Sequence, residues 1–213
     1  MSAGFRKQII AHFCPENLIC MLCREESLIV QDGLCAACRD ALRTASRPPP
    51  PPAVDGMFAG LWYEDTVATA IQRFKYNERL AYAMFFANYL HVPAEWQADL
   101  LVPVPLHPLR EFARTFNQSQ LLAEQVSAKE QIPLVRELLT RIRYTPSQTR
   151  LTAEQRRKNL RGAFAADPAC RNLNLVLMDD VCTTGSTLTA CALALKKAGA
   201  AKVYAICATT VLR

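Results

Sequence analysis

Short unbroken apolar runs alternate along this chain with segments whose apolar residues recur at helical spacing. Leu175-Val176-Leu177-Met178 lies between Asn174 and the acidic pair Asp179-Asp180, the pattern of a strand buried on both faces. The stretch from Thr187 to Lys197 (TLTACALALKK) has the helical period and stops before Gly199, a residue suited to ending a helix. Further strands are predicted over Met57 to Tyr63, over Leu100 to Val104, where Pro103 and Pro105 open a loop, and over Lys202 to Thr209. Val67, Ala70, Ile71 and Phe74 predict a helix from Thr66 to Tyr76, and two more follow over Leu80 to Leu90 and Asn117 to Lys129. Leu138 to Tyr144 predicts a strand leaving the sheet. Thr152-Ala153-Glu154-Gln155 has the form of a capping box, with Thr152 as N-cap, so Arg156 to Lys158 are expected on a short helix. Strands alternating with helices give an α/β class, a parallel sheet flanked by helices on both faces, with ligands bound beyond the carboxyl ends of the strands.

The segment Asp179-Asp180-Val181-Cys182-Thr183-Thr184-Gly185-Ser186-Thr187-Leu188 falls where the predicted strand becomes a helix. Free backbone N–H groups and the positive end of the helix dipole point outward at such a turn, which suits a phosphate. Gly185 permits close backbone approach, and Thr183, Thr184, Ser186 and Thr187 add hydroxyl donors. Two carboxylates repel that phosphate, so Asp179 and Asp180 are expected to accept the vicinal hydroxyls of a ribose one sugar's width away. The plain alternative is an ordinary helix cap, since Asp and Thr are common N-cap residues. Two acids and four hydroxyls around one glycine exceed what a cap requires. No Lys follows the glycine as in a P-loop and no G-x-G-x-x-G is present, which disfavours a nucleoside triphosphate or dinucleotide site.

The chain of 213 residues, 51% hydrophobic, suits one main domain with a small appendage. No apolar stretch approaches the ~20 residues that cross a bilayer, and His12 interrupts the apolar block of the first residues, so no membrane insertion and a cytoplasmic location are expected. The nine cysteines are odd in number, which argues against a disulfide framework. Cys20-x-x-Cys23 and Cys35-x-x-Cys38 form two thiolate pairs that can close a tetrahedron around a structural Zn²⁺. An iron–sulfur site or a redox dithiol pair stays open as an alternative, and Cys14 is near enough to be a spare ligand. Cys170, Cys182, Cys191 and Cys207 are expected to be small buried residues.

Residues 1–46 are thus expected to form a metal module too small for its own core, and residues 47–54 a linker. Pro48 to Pro52 would run as polyproline II, a spacer of about 15 Å, or alternatively recruit a proline-binding module. Residues 55–213 are expected to form the α/β domain. Between Arg136 and Arg161 stand eight basic residues against two acidic ones, a surplus equal to the net charge of +6 of the whole chain. Such a window favours a polyanion, while the plain reading is a solvated, charge-rich loop and helix.

The segment Val176 to Leu188 resembles the signature of the type I phosphoribosyltransferases. More narrowly, the chain resembles the ComF/GntX group, associated with DNA uptake in competent bacteria or with use of external DNA. The resemblance rests on the cysteine pairs, Phe74-Lys75-Tyr76, Val102 to Gln118 (VPVPLHPLREFARTFNQ) and Gln148 to Phe164 (QTRLTAEQRRKNLRGAF). It implies a phosphoribosyltransferase-like fold with an N-terminal zinc finger, and phosphoribosyl pyrophosphate with Mg²⁺ as ligand. Asp179 and Asp180 would hold the ribose hydroxyls, and Thr183 to Thr187 the 5-phosphate. Pyrophosphate or nucleic-acid contacts would come from Lys75, Arg114, Arg143, Arg156 and Arg157, with Thr145, Gln148 and Asn159 in the same basic stretch. Competence-machinery proteins would be further partners.

In that superfamily a hood covers the acceptor. The chain stops at Arg213 just after the last predicted strand, so the region between Asp55 and Glu95, with the zinc module, is expected to supply the cover. Thr115 stands where the group usually has glycine, and the glycine often found near Asn77 is absent; both changes stiffen segments that close. His12, His91 and His107 are isolated from any nucleophile, and no cysteine follows Met1, which excludes a glutamine-hydrolysing half. Two functions follow. One is a binder of phosphoribosyl pyrophosphate and single-stranded DNA, with Tyr63, Phe74, Tyr76 and Tyr144 as candidate stacking rings. The other is an active Mg²⁺-dependent phosphoribosyltransferase acting on an acceptor such as a nucleobase.

Overall fold

A computed structural model of the chain describes residues 19–76, 79–107, 116–144 and 153–211, with backbone alone for Arg79, Ala153, Glu154, Arg156 and Arg157. Two compact units emerge, Met1–Leu42 and Arg43–Arg213. In the first, β1 (Ile29–Gln31) and β2 (Leu34–Cys35) pair antiparallel around a two-residue turn. Asp32 and Gly33 in that turn have φ of 51° and 76°, the positive pair that a type I′ hairpin demands and that Asp-Gly favours. The helix α1 (Ala36–Ala41) follows at once, with Cys35 as its N-cap.

The second unit is built on a five-stranded sheet. Its strands are β3 (Thr44–Ser46), β4 (Gly56–Trp62), β5 (Leu100–Pro103), β8 (Asn174–Cys182) and β9 (Lys202–Thr210), in the order β3-β4-β9-β8-β5. The four central and far strands are parallel, as the alternating pattern predicts, and β3 adds an antiparallel edge that the pattern does not. Three polar or small residues carry no periodicity; the free backbone edge of β4 decides their conformation. Between β5 and β8 the chain leaves the sheet in a separate antiparallel pair, β6 (Leu139–Arg141) and β7 (Phe164–Ala166).

Helices cover the sheet. On one face Met57, Ala59, Val102, Leu175, Leu177, Val203 and Ala205 pack with Leu188, Cys191, Ala192 and Leu195 of α6 (Ser186–Ala198). The alternate residues Phe58, Leu101, Val176, Met178 and Ile206 are equally buried and, by the pleat, face the other side. Among the helices, α4 (Gln118–Glu130) packs on β5 and β8, α3 (Arg79–Ala87) on α4, and α2 (Asp65–Tyr76) on α3. The basic helix α5 (Ala153–Leu160) packs on α6; its expected N-cap, Thr152, lies outside the described residues. Gly199 ends α6 with φ of 107°, and the cysteines Cys170, Cys182, Cys191 and Cys207 are buried. Among the described residues no helix is long and apolar enough to cross a membrane.

Candidate functional site

The strand β8 does not stop at Met178, as its apolar run suggests, but continues through the acidic pair to Cys182. It can do so because β9 runs alongside it as far as Thr210, while β5 ends opposite Met178. The last ladder bond between β5 and β8 runs from the Val104 N–H to the Met178 carbonyl at 2.9 Å, and Pro105 follows directly. From Asp179 onward β8 therefore has no partner strand on the β5 side among the described residues, at the carboxyl end of the sheet. Thr183, Thr184 and Gly185 then turn the chain into α6, and a small polar concavity lies between Asp179 and Leu188. Gly185 is the helix N-cap with φ of 69° and makes no side-chain cap. Thr184 Oγ1 and Ser186 Oγ hydrogen-bond at 2.8 Å across the turn. Among the described residues no acceptor takes the backbone N–H of Thr184, Gly185 or Thr187, as expected of donors at the start of a helix.

Asp179 is buried. Its Oδ1 accepts the Ser119 hydroxyl at 2.9 Å and the Asp180 N–H at 2.9 Å. Burial, and then the charge of Asp180 beside it, raise its pKa to about 7, against the opposing pull of those hydrogen bonds and of Lys75. Asp180 Oδ1 accepts the Val181 N–H at 2.8 Å, and its Oδ2 pairs with Lys75 Nζ at 3.2 Å. Among the described residues Asp179 is thus held through Oδ1, whereas Asp180 is held through both of its oxygens.

Lys75 comes from the last turn of α2, and Gln118 Nε2 donates to its carbonyl, so the start of α4 docks on the end of α2. Asn117 caps α4 by accepting the Ser119 N–H and donates its own amide to Val104. Ser119 has no sequence motif of its own. Its only signal is its place just after the predicted helix start, and the fold brings it across 60 residues to Asp179.

The other candidates fare differently. Arg143 donates to the carbonyls of Asn159 and Arg161 at 2.6 and 2.8 Å, satisfying the end of α5. Arg136 pairs with Glu124, and the buried Arg141 lies over the Phe164 ring at 5.5 Å. Lys158 and Arg161 are exposed. Arg114, Thr115, Thr145 and Gln148, with Asn77, His12 and Cys14, lie outside the described residues, as do the side chains of Arg156 and Arg157. Of the candidate stacking rings Phe74 is buried in the core, Tyr63 is half-buried, and Tyr76 and Tyr144 are exposed. His91 packs on Phe58 and His107 meets the edge of Tyr144.

The sulfur atoms of Cys20, Cys23, Cys35 and Cys38 all lie within 4.8 Å of one another. The Cys23 and Cys35 sulfurs are 3.9 Å apart, close to the edge of about 3.8 Å that a tetrahedron with Zn–S bonds of about 2.3 Å requires. Local structure aims them: the Cys35 N–H points at the Cys20 sulfur and the Cys38 N–H at the Cys35 sulfur. Burial opposes the Cys20 thiolate, yet the N–H groups of Cys35, Cys23 and Leu22 outweigh it and hold its pKa at about 6. Burial and the neighbouring sulfurs push Cys38 up instead. The donor set can hold a metal ion such as zinc, with all four positions taken by protein.

No family model matches the chain. Competence protein F of Haemophilus influenzae is 27% identical over 216 residues, which cover 88% of this chain and 94% of that protein. The DNA utilization protein YhgH of Escherichia coli K12 is 29% identical, covering 89% of this chain and 95% of that protein. Competence protein ComFC of Bacillus subtilis is 25% identical over 191 residues, covering 82% and 76%. The resemblance to the ComF group is borne out by these relatives, which align with most of the chain. Among solved structures, glutamine phosphoribosylpyrophosphate amidotransferase from B. subtilis, complexed with ADP and GMP, aligns at a TM-score of 0.40 and 18% identity over 68% of this chain. The allosteric regulatory enzyme of purine biosynthesis aligns at 0.38 and 20% over 59%. The chain spans 28% and 24% of those two proteins.

Proposed function

We propose that this chain grips phosphoribosyl pyrophosphate, brought in with Mg²⁺, and acts in the uptake or use of external DNA, its basic window holding a single strand. The observation that carries the reading is the turn from β8 into α6. It presents backbone N–H groups and two hydroxyls at a helix N-terminus, immediately beside two carboxylates. The amides of Thr184, Gly185 and Thr187 take the 5-phosphate. Asp179 accepts a ribose hydroxyl with Oδ2, and Asp180 accepts the other with the oxygen it shares with Lys75. Their hard oxygen donors suit Mg²⁺, whose charge offsets that of the pyrophosphate when it is bound. The zinc reading of the four-sulfur set rests on its closed, tetrahedron-sized geometry. The DNA setting is supported by the names of the relatives, one a DNA utilization protein and two competence proteins.

A second reading, transfer of the phosphoribosyl group, is favoured by Lys75. Displacement at the anomeric carbon breaks the bond to pyrophosphate, forms one to the acceptor and releases the acceptor's proton, and charge separates as it proceeds. A cation held 3.2 Å from Asp180 lowers the cost of that separation. Calorimetry with phosphoribosyl pyrophosphate and Mg²⁺ tests the grip: the double variant Asp179→Asn, Asp180→Asn should lose all binding with its circular dichroism unchanged. Retained binding refutes the ribose assignment. Pyrophosphate release in the presence of a panel of nucleobases separates the transferase from the binder.

A further inference from the structure

The proline run between Arg47 and Ala53 is more than a length of chain, because two of its five residues, Pro48 and Pro51, are buried while the others are exposed. Pro51 lies against Gly185. A Cβ added at Gly185 would overlap the Pro51 Cβ and come within 2.9 Å of its Cγ. Gly185 is the residue of the phosphate turn with the most conformational freedom, it sits at φ of 69°, and no side chain caps it. Its carbonyl is held by the Thr189 N–H at 2.8 Å, but among the described residues the peptide on its other side has no such bond, and packing must fix it if the amides around it are to point at one place.

Pro51 is itself fixed. Its carbonyl accepts the Val54 N–H at 3.1 Å, closing a turn whose corner residues are Pro52 and Ala53. Ala53 has φ of 68°, the positive sign that the third position of a type II turn demands, held here by a residue that rarely adopts it. Val54 is buried in the core cluster with Leu188 and Leu195 of α6. Asp55 accepts the Val203 N–H at 2.8 Å and pairs with Lys196 at 2.9 Å in the last turn of α6. Residues 51–55 therefore grip α6 at both ends, at its N-cap through Pro51 and at its last turn through Asp55.

We infer that Pro51 is a positioning residue for the phosphate turn, bracing Gly185 so that its neighbouring amides converge. The ligand arm of the inference rests on the sugar-phosphate reading above; the brace itself does not. The test compares the full chain with Pro51→Gly, Pro51→Ala, Gly185→Ala and the double variant Pro51→Gly, Gly185→Ala. Amide hydrogen exchange is followed without ligand across the turn and the first turn of α6, where the Thr189 N–H bonded to the Gly185 carbonyl is the reporter, and phosphoribosyl pyrophosphate is titrated with Mg²⁺ by calorimetry. Pro51→Gly should speed exchange in the turn alone and weaken binding by about tenfold or more, since small misplacements of binding groups are costly. Pro51→Ala, which keeps the Cβ against the glycine, should restore both. Gly185→Ala should lose binding, and removing the opposed ring in the double variant should recover part of it. Unchanged exchange in Pro51→Gly, or faster exchange throughout the second unit, would overturn the brace. A wild-type chain that takes no phosphoribosyl pyrophosphate sinks the ligand reading, and the exchange arm still decides the brace.

Discussion

On the proposed reading, Asp179 is the residue on which a proton and a sugar hydroxyl would compete. In the folded chain burial and Asp180 hold its proton up to about pH 7, against an ordinary value of 3.8, so the folded state binds more protons between those limits. Its contribution to stability is fully present below pH 3.8 and is lost as pH rises through about 7. Asp179→Asn should flatten that fall, read from thermal midpoints across the window. Ligand binding has the opposite sign, because a ribose hydroxyl donates to a carboxylate. Affinity for phosphoribosyl pyrophosphate should rise with pH through about 7. Ser119→Ala removes a hydrogen bond that favours the charged form, so its affinity profile should move to higher pH. A profile left in place would show that Ser119 does not act on Asp179.

At the scale of elements, the cysteine hairpin and the strand-turn-helix depend on different forces. The described part of the first unit buries Leu22 and Leu34 besides Cys20, Cys35 and Cys38. Two leucines contribute ~1.5–3 kcal/mol each, while ordering each residue costs ~1–2 kcal/mol, so apolar burial alone leaves the hairpin unfolded. A structural zinc bound at the four sulfurs would add about 10–16 kcal/mol against that cost. Metal analysis should find one zinc per chain, lost together with amide protection in β1 and β2 when Cys20 and Cys35 are changed to Ser. Protection that survives both chelator and substitution would rule the metal out as the source of that fold. The turn at Gly185 is anchored by apolar packing on either side instead, Cys182 before it and Leu188 after it lying in the core cluster.

At the scale of the whole molecule, the basic window is partly spent on the protein itself: Arg136 on Glu124, Arg141 on Phe164 and Arg143 on the end of α5. Lys158 and Arg161 are exposed, and a single strand held by the window would meet them together with its other cations. Arg156→Glu with Arg157→Glu should weaken single-stranded DNA binding and make its log-log salt slope shallower by about 0.7 for each phosphate that the variant no longer neutralises. Affinity and slope both unchanged in a salt titration would remove the DNA arm. What the sequence by itself determined is what neighbours in the chain decide. The acids, the turn and the helix start lie within ten residues from Asp179 to Leu188, and the paired cysteines lie three apart, so local geometry alone forms them. Tertiary structure alone decided which distant groups meet: Ser119 and Lys75 at the acids, and Pro51 at Gly185. Those meetings leave no period or motif, because they depend on how α2 and α4 pack beside the end of β8 and on where the proline turn seats. The short strands β3 and β7 escaped for the same reason, their conformation being set by a partner's backbone rather than by their own side chains.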